Sequence, residues 1–204
     1  MKRRFFLGAA AAASPIALLA ASPDIDATAP AAPSSTRARY PNVLLTTHEG
    51  KRVRFYDDVI QGNKIVVLNM MYTQCPEVCG GTMVNLARVQ RLLGSRMGRD
   101  VFMYSITLDA RRDTPAVLAR YAELAGVGPH WKLLTGRHTD IERLRRALGY
   151  VDPDPELDRD LNQHVGMMRA GNDALDRWLA CPGMAPAEQL AEEVLWAGMA
   201  PAHA

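Results

Sequence analysis

Cys75 and Cys79 stand four residues apart in Tyr72-Thr73-Gln74-Cys75-Pro76-Glu77-Val78-Cys79, directly after the apolar run Ile65 to Met71. Two thiols at that spacing can close on one soft metal ion or on each other. Pro76 suits the first position of a helix, where no backbone donor is missed. Cys75 is therefore expected at or near the helix cap and Cys79 about one turn later, on a shared face. The positive end of the helix favours thiolate, the form that attacks disulfides and binds metal. A third candidate ligand, His164, lies far downstream in Asn162-Gln163-His164-Val165-Gly166. Two thiolates and one imidazole suit copper in either oxidation state, whereas zinc would want a fourth ligand. Met70, Met71, Met167 and Met168 are further soft donors by type, but each pair sits in an apolar strand, where core packing is the default.

The compartment bears on how these thiols are read. Lys2-Arg3-Arg4 opens an acid-free stretch that continues as the apolar, Ala-rich run Phe5 to Ala21. This is the pattern of an export signal, and Arg3-Arg4-Phe5-Phe6-Leu7 resembles the twin-arginine type. Residues 1–21 are thus expected to be an export signal or a membrane anchor. Residues 22–40, rich in Pro, Ala and Ser, read as a linker. Residues 41–204 are left as one domain with its own core. Export implies a periplasmic location, either free or anchored facing the periplasm, and an oxidising environment in which thiols pair. The chain has three cysteines, so one is left over, and a disulfide closing so short a loop would constrain the unfolded chain only modestly. That favours a redox or metal role for the pair. The net charge of +2 shows no basic surface of the kind nucleic acid requires.

The elements that must position these residues follow in order. Val43 to Leu45 and Val53 to Phe55 flank a turn at Gly50 and read as a hairpin. Ile65 to Met71 reads as a strand buried on both faces. Thr82 to Met97 has helical spacing through Met83, Leu86, Val89 and Leu93. Val101 to Leu108 is a strand. Asp113-Thr114-Pro115 opens a helix, with Asp113 or Thr114 as cap. Trp131 to Leu134 is a short strand, and a helix from His138 or Thr139 ends at Gly149. Residues 150–163 read as an acidic, Pro-broken, solvated loop, a candidate flap ahead of His164. Val165 to Arg169 is a strand turned at Ala170-Gly171-Asn172-Asp173, and Pro186 to Trp196 is a closing helix. Strands alternating with helices imply an α/β fold, a mixed sheet flanked by helices, with its chemistry at the carboxyl ends of the strands.

The cysteine segment, Ser105-Ile106-Thr107-Leu108-Asp109 running into Arg112-Asp113-Thr114-Pro115, Leu134-Thr135-Gly136 and the late His164 together resemble the Sco/SenC copper-chaperone family over about residues 40–170. The resemblance implies a thioredoxin-like fold, and one copper ion, Cu(I) or Cu(II), held by Cys75, Cys79 and His164. It also implies a task in assembling the copper centre of a respiratory cytochrome c oxidase, with an apo oxidase subunit or another copper or thiol protein as partner. Gly80 and Ala110 stand where the family usually has Pro, Val165 stands where it has Ser or Thr, and Arg169-Ala170-Gly171-Asn172-Asp173 replaces an Asp-Pro-x-Gly turn. These departures mark a divergent member.

Two functions remain open on the residues. One is a non-enzymatic copper carrier. The other is a periplasmic thiol-disulfide oxidoreductase, in which Cys75 attacks and Cys79 resolves the mixed disulfide. His164 discriminates them, because a dithiol enzyme does not need it. His48, His130, His138 and His203 read as ordinary. Asp109 and Asp113 read as capping or pairing residues, and Cys181 as a buried thiol.

Overall fold

The computed structural model describes residues 35–75, 78–160 and 166–199. Its centre is a seven-stranded mixed sheet in the order β2-β1-β5-β4-β3-β6-β7. All seven residues of β3 (Ile65–Met71) are buried, as a continuous β-branched and apolar run requires of a central strand. β3 pairs in parallel with β4 (Val101–Thr107), and β4 with β5 (Trp131–Gly136). The hairpin β1 (Leu44–Thr47) and β2 (Arg52–Arg54) adds antiparallel to β5, its turn made by Gly50 at φ 84°. On the other edge β6 (Met167–Asn172) pairs antiparallel with β3, and β7 (Arg177–Pro182) with β6.

The parallel strands need crossovers, and two helices supply them. α2 (Val78–Leu93) joins β3 to β4, and α3 (Pro115–Leu124) joins β4 to β5. Thr114 is the cap of α3 and accepts a hydrogen bond from Val117 N, with Pro115 in the first turn, as the sequence predicts. α4 (His138–Ala147) ends ahead of Gly149 at φ 74°. α6 (Ala187–Ala197) closes the chain against α2. Asn85 of α2 clamps the preceding turn by donating to Gly183 O at 2.9 Å and Ala185 O at 2.7 Å. This is the mixed α/β sandwich expected, with the N-terminal hairpin in place.

Several boundaries differ from the sequence reading. α2 begins at least four residues before Thr82 and ends at Leu93, where Gly94 at φ 50° converts it to a 3-10 turn. Gly80 and Gly81 mask its start, since glycine carries no helical signal. Tertiary packing supplies one instead: the Met184 sulfur lies 2.9 Å from where a Cβ on Gly81 would be. Phe55–Ile60 is a π-helical turn that buries Phe55, Tyr56, Val59 and Ile60. The expected turn at 170–173 lies later: β6 continues to Asn172, and the reversal falls at Asp173–Asp176 before the additional strand β7.

Ser35–Arg39 forms the short helix α1, and Thr36 is buried against Trp178, whose Nε1 donates to Thr36 Oγ1 at 3.2 Å. Pro155–Arg159, inside the stretch read as a solvated loop, forms α5. Asp154 caps it, and Asp158 is gripped bidentately by Arg145 at 2.6 and 2.8 Å. Among the described residues no helix is long and apolar enough to cross a membrane.

Candidate metal centre

Cys75 lies just beyond the carboxyl end of β3, half-buried and packed against the core. β3 and β4 stay paired up to this point, because Leu108 N donates to Met71 O at 2.8 Å. The chain then turns, with Cys75 N donating to Tyr72 O at 3.3 Å. Cys75 itself is not helical, and Cys79 is the second residue of α2 as described. Pro76 and Glu77 lie outside the described residues, and with them the expected helix cap at Cys75 and the shared helix face. As described, Cys79 stands near the N-terminal end of α2 and Cys75 precedes that helix. Both positions thus stand towards the N-terminal, positive end of the described sixteen-residue helix. His164 lies outside the described residues. Among those described, no group of three His, Cys, Asp or Glu is placed to hold a metal.

The cysteine loop is pinned from across the sheet. Asp113, 1% exposed, accepts from Thr73 N at 3.1 Å and from Thr73 Oγ1 at 2.5 Å. Its second contact is Thr107 Oγ1, also at 2.5 Å, and the same Thr107 oxygen accepts from Asp109 N at 3.0 Å. Arg112 donates to Gln74 Oε1 at 3.2 Å and stands 3.7 Å from Asp109. Residues 73 and 74 are thus held by residues 107–113, the loop leading into α3. Asp113 is expected from sequence as a cap or pairing residue. Thr114 caps the helix instead, and Asp113 turns inward to the cysteine loop. No linear spacing joins residues 73 and 113, so sequence reasoning had no signal for this contact.

Beneath the loop runs a buried polar chain. Trp131 Nε1 donates to Ser105 Oγ at 2.9 Å, and Ser105 Oγ donates to Asn69 Oδ1 at 2.6 Å. The Met83 sulfur of α2 closes it from above, 3.8 Å from Asn69 Nδ2. Met70, Met71 and Met168 are buried core residues, as expected of them. His48 accepts from Leu133 N through Nδ1, a structural bond. Cys181 sits on β7, in register with Met168 of β6 and two strands from β3. Partial burial pushes its thiol up, and Glu193 adds to this, but the residue is half-buried rather than the buried thiol expected.

Comparison with known proteins agrees with this architecture. The family model described as SCO1/SenC matches residues 33–172. An SCO2-like protein of Rickettsia felis is 30% identical over 88 residues, 43% of this chain and 41% of that protein, so the match spans about two-fifths of the relative. The copper-bound structure of Bradyrhizobium japonicum ScoI is 23% identical, with a TM-score of 0.59 over 76% of this chain and 96% of that one. BsSco, described with a disulfide switch and as a member of the Sco family of cytochrome c oxidase assembly proteins, aligns at TM-score 0.61 and 19% identity, covering 76% and 91%. A thioredoxin-like sheet that ends its central strand in the cysteine loop, matched over most of its length, makes this chain a member of the SCO1/SenC family.

Proposed function

We propose that this protein is a copper carrier that holds one ion through Cys75, Cys79 and His164 and passes it by ligand exchange to an apo-protein during assembly of a respiratory oxidase copper centre. The observation that carries the reading is the half-buried Cys75, at the end of the central strand, in a loop locked by Thr73 to Asp113. A donor held in place before the metal arrives costs less ordering on binding. The donor set fits the cargo: two thiolates satisfy Cu(I), and an added imidazole suits Cu(II). Family membership supports copper, since ScoI from Bradyrhizobium japonicum is solved with copper bound, and BsSco is described among oxidase assembly proteins. The basic, apolar residues 1–21 support export to the periplasm or anchorage facing it, and the expected linker shortens to 22–34, because Ser35 to Tyr40 pack on the folded body.

The test is copper binding to the reduced protein, wild type and His164→Ala, followed by absorption. We expect one equivalent of Cu(II) with a thiolate-to-copper band that is lost or shifted in the variant, and Cu(I) binding that is weakened less. Equal affinity of both proteins for both ions would defeat the ligand assignment. No tight copper, with a readily exchanged Cys75–Cys79 disulfide, would give the pair to thiol-disulfide exchange. That second reading is favoured by the placement of both cysteines at the N-terminal end of α2.

A further inference from the structure

The loop whose Asp113 holds the cysteine segment also walls a separate cleft of about 570 Å³, lined by Thr46, Arg52, Thr114, Pro115, Thr135 and Arg137 among others. Arg52, Thr46 and Thr135 are register partners across β2, β1 and β5, so their side chains project to one face. That row leads to the N-terminus of α3, a ten-residue helix. Thr114 Oγ1 already accepts from Val117 N, which leaves its own hydrogen to donate outward. The first-turn N–H of Ala116 has no acceptor within the helix.

The lining carries donors and no carboxylate. Arg52 is exposed and has no ion pair among the described residues. Arg137 is 81% exposed at its side chain and spends only Nε on Asp140, which is itself 3% exposed. Arg52 also borders a second cleft lined by Glu49 and Asp58 but pairs with neither, and Asp140 and Asp113 are buried and engaged by Arg137 and Arg143, and by Thr73 and Thr107. Thr135 is 6% exposed, and its hydroxyl has no hydrogen-bond partner among the described residues, though the residue lines the cleft. With no partner of its own, this hydroxyl is left to the cleft and can donate to an acceptor that enters it. The cleft around His138 and Arg146 differs, because carboxylates line it and two of them, Glu142 and Asp158, already engage Arg145 and Arg146.

We propose that this cleft binds an oxyanion, a phosphate or a carboxylate, between Arg52 and Arg137 over the N-terminus of α3. Two guanidinium groups, hydroxyls free to donate and an open helix end form a complementary donor set for such a group. The two sources differ in shape, tetrahedral or planar, and are separated by titration.

The test is an amide NMR titration of the full chain with inorganic phosphate and, separately, with acetate, holding ionic strength constant with NaCl. We expect saturable shifts at Ala116 and Gly136. Arg52→Gln, which touches no other side chain by ion pair, should weaken binding about tenfold, the loss of one charge-assisted contact. Thr135→Val should weaken it while Thr135→Ser retains it, and Arg99→Gln, outside the lining, should change nothing. Saturation by phosphate alone identifies a phosphate-type ligand, and saturation by both identifies a carboxylate-tolerant one. Shifts that stay linear to the highest concentration, or that persist unchanged in Arg52→Gln, overturn the proposal. Copper affinity is read separately, so failure here leaves the carrier reading standing, and the reverse.

Discussion

Thr73 and Asp113 are forty residues apart in the chain and joined by two hydrogen bonds, from the Thr73 backbone N–H and from its hydroxyl. Thr73 belongs to the segment that delivers Cys75, and Asp113 to the loop that opens α3. The contact spans the two neighbouring parallel strands β3 and β4 at their carboxyl ends. On the proposed carrier reading the loop presents a sulfur to an incoming ion and needs a fixed backbone, and a buried carboxylate accepting several bonds fixes it more firmly than apolar packing can, because the bonds are directional.

Removing that carboxylate should be costly. Asp113→Ala strands the Thr73 N–H and two hydroxyls, and a hydrogen bond to a charged group is worth about 1.5–3 kcal/mol. We expect a loss of about 3 kcal/mol in urea unfolding, with Asp113→Asn losing about half because one acceptor oxygen survives. Hydrogen exchange at Thr73 should accelerate in both. An Asp113→Ala protein with the wild-type unfolding midpoint and unchanged Thr73 exchange would remove the anchor from the account.

The polar chain under the site gives a second prediction. Ser105 is the middle link between Trp131 Nε1 and Asn69 Oδ1. Ser105→Ala leaves a buried donor and a buried acceptor without partners, which costs about 1–3 kcal/mol. Trp131→Phe removes one end of the chain. A double-mutant cycle between them should show coupling of at least about 0.5 kcal/mol. Strict additivity would mean that the two bonds are energetically independent.

Much of this arrangement is legible in the sequence, and the exceptions share a cause. The β3 strand, the Thr114-Pro115 helix start and the glycine stops at 50 and 149 are announced by local chemistry that operates within a few residues. What is not legible is held by distant contacts. α5 sits in a run broken by Pro153 and Pro155, and it is gripped by Arg145 from α4. β7 has a mixed, half-exposed pattern with Pro182 at its end, so neither alternation nor a buried run marks it, and its pairing with β6 makes it a strand. The inward turn of Asp113 is invisible because residue 73 is its partner. For the candidate site, the order of motifs points to the cysteines, and the contact that fixes the loop of the first emerges only in three dimensions.

The segment that departs most from the family's usual turn supplies a third prediction. Gly171 of β6 lies under the indole of Trp178, whose Cδ2 and Cε3 are 2.2 Å from where a Cβ would stand. Gly171→Ala must therefore displace that ring. The ring also donates to Thr36 of α1 and stacks edge-on with Tyr40 at 5.4 Å. Overpacking of this kind costs about 1–3 kcal/mol. We expect the tryptophan near-UV signal to change and the amides of α1 to lose protection from exchange, while Cys75 keeps its environment. Retained protection in α1 would show that Trp178 does not secure it.

Acid should act on a different joint. Arg145 holds the Asp158 carboxyl well below the usual carboxylate range, and the Asp152 backbone N–H adds to it. The unfolded carboxyl titrates near pH ~3.9. A folded-state value below that means the pair's contribution is fully present above about pH 4 and is lost as pH falls toward the folded value. Wild type should therefore lose stability below about pH 4 faster than Asp158→Asn, in which this group cannot titrate. The variant, already lacking the charge, should start from lower stability at pH 7, with faster exchange in residues 155–159. Because Arg145 also donates to Tyr150 O, the loss should extend through residues 150–158 as one unit. Parallel pH–stability curves for the two proteins would mean that Asp158 is not the group acid acts on.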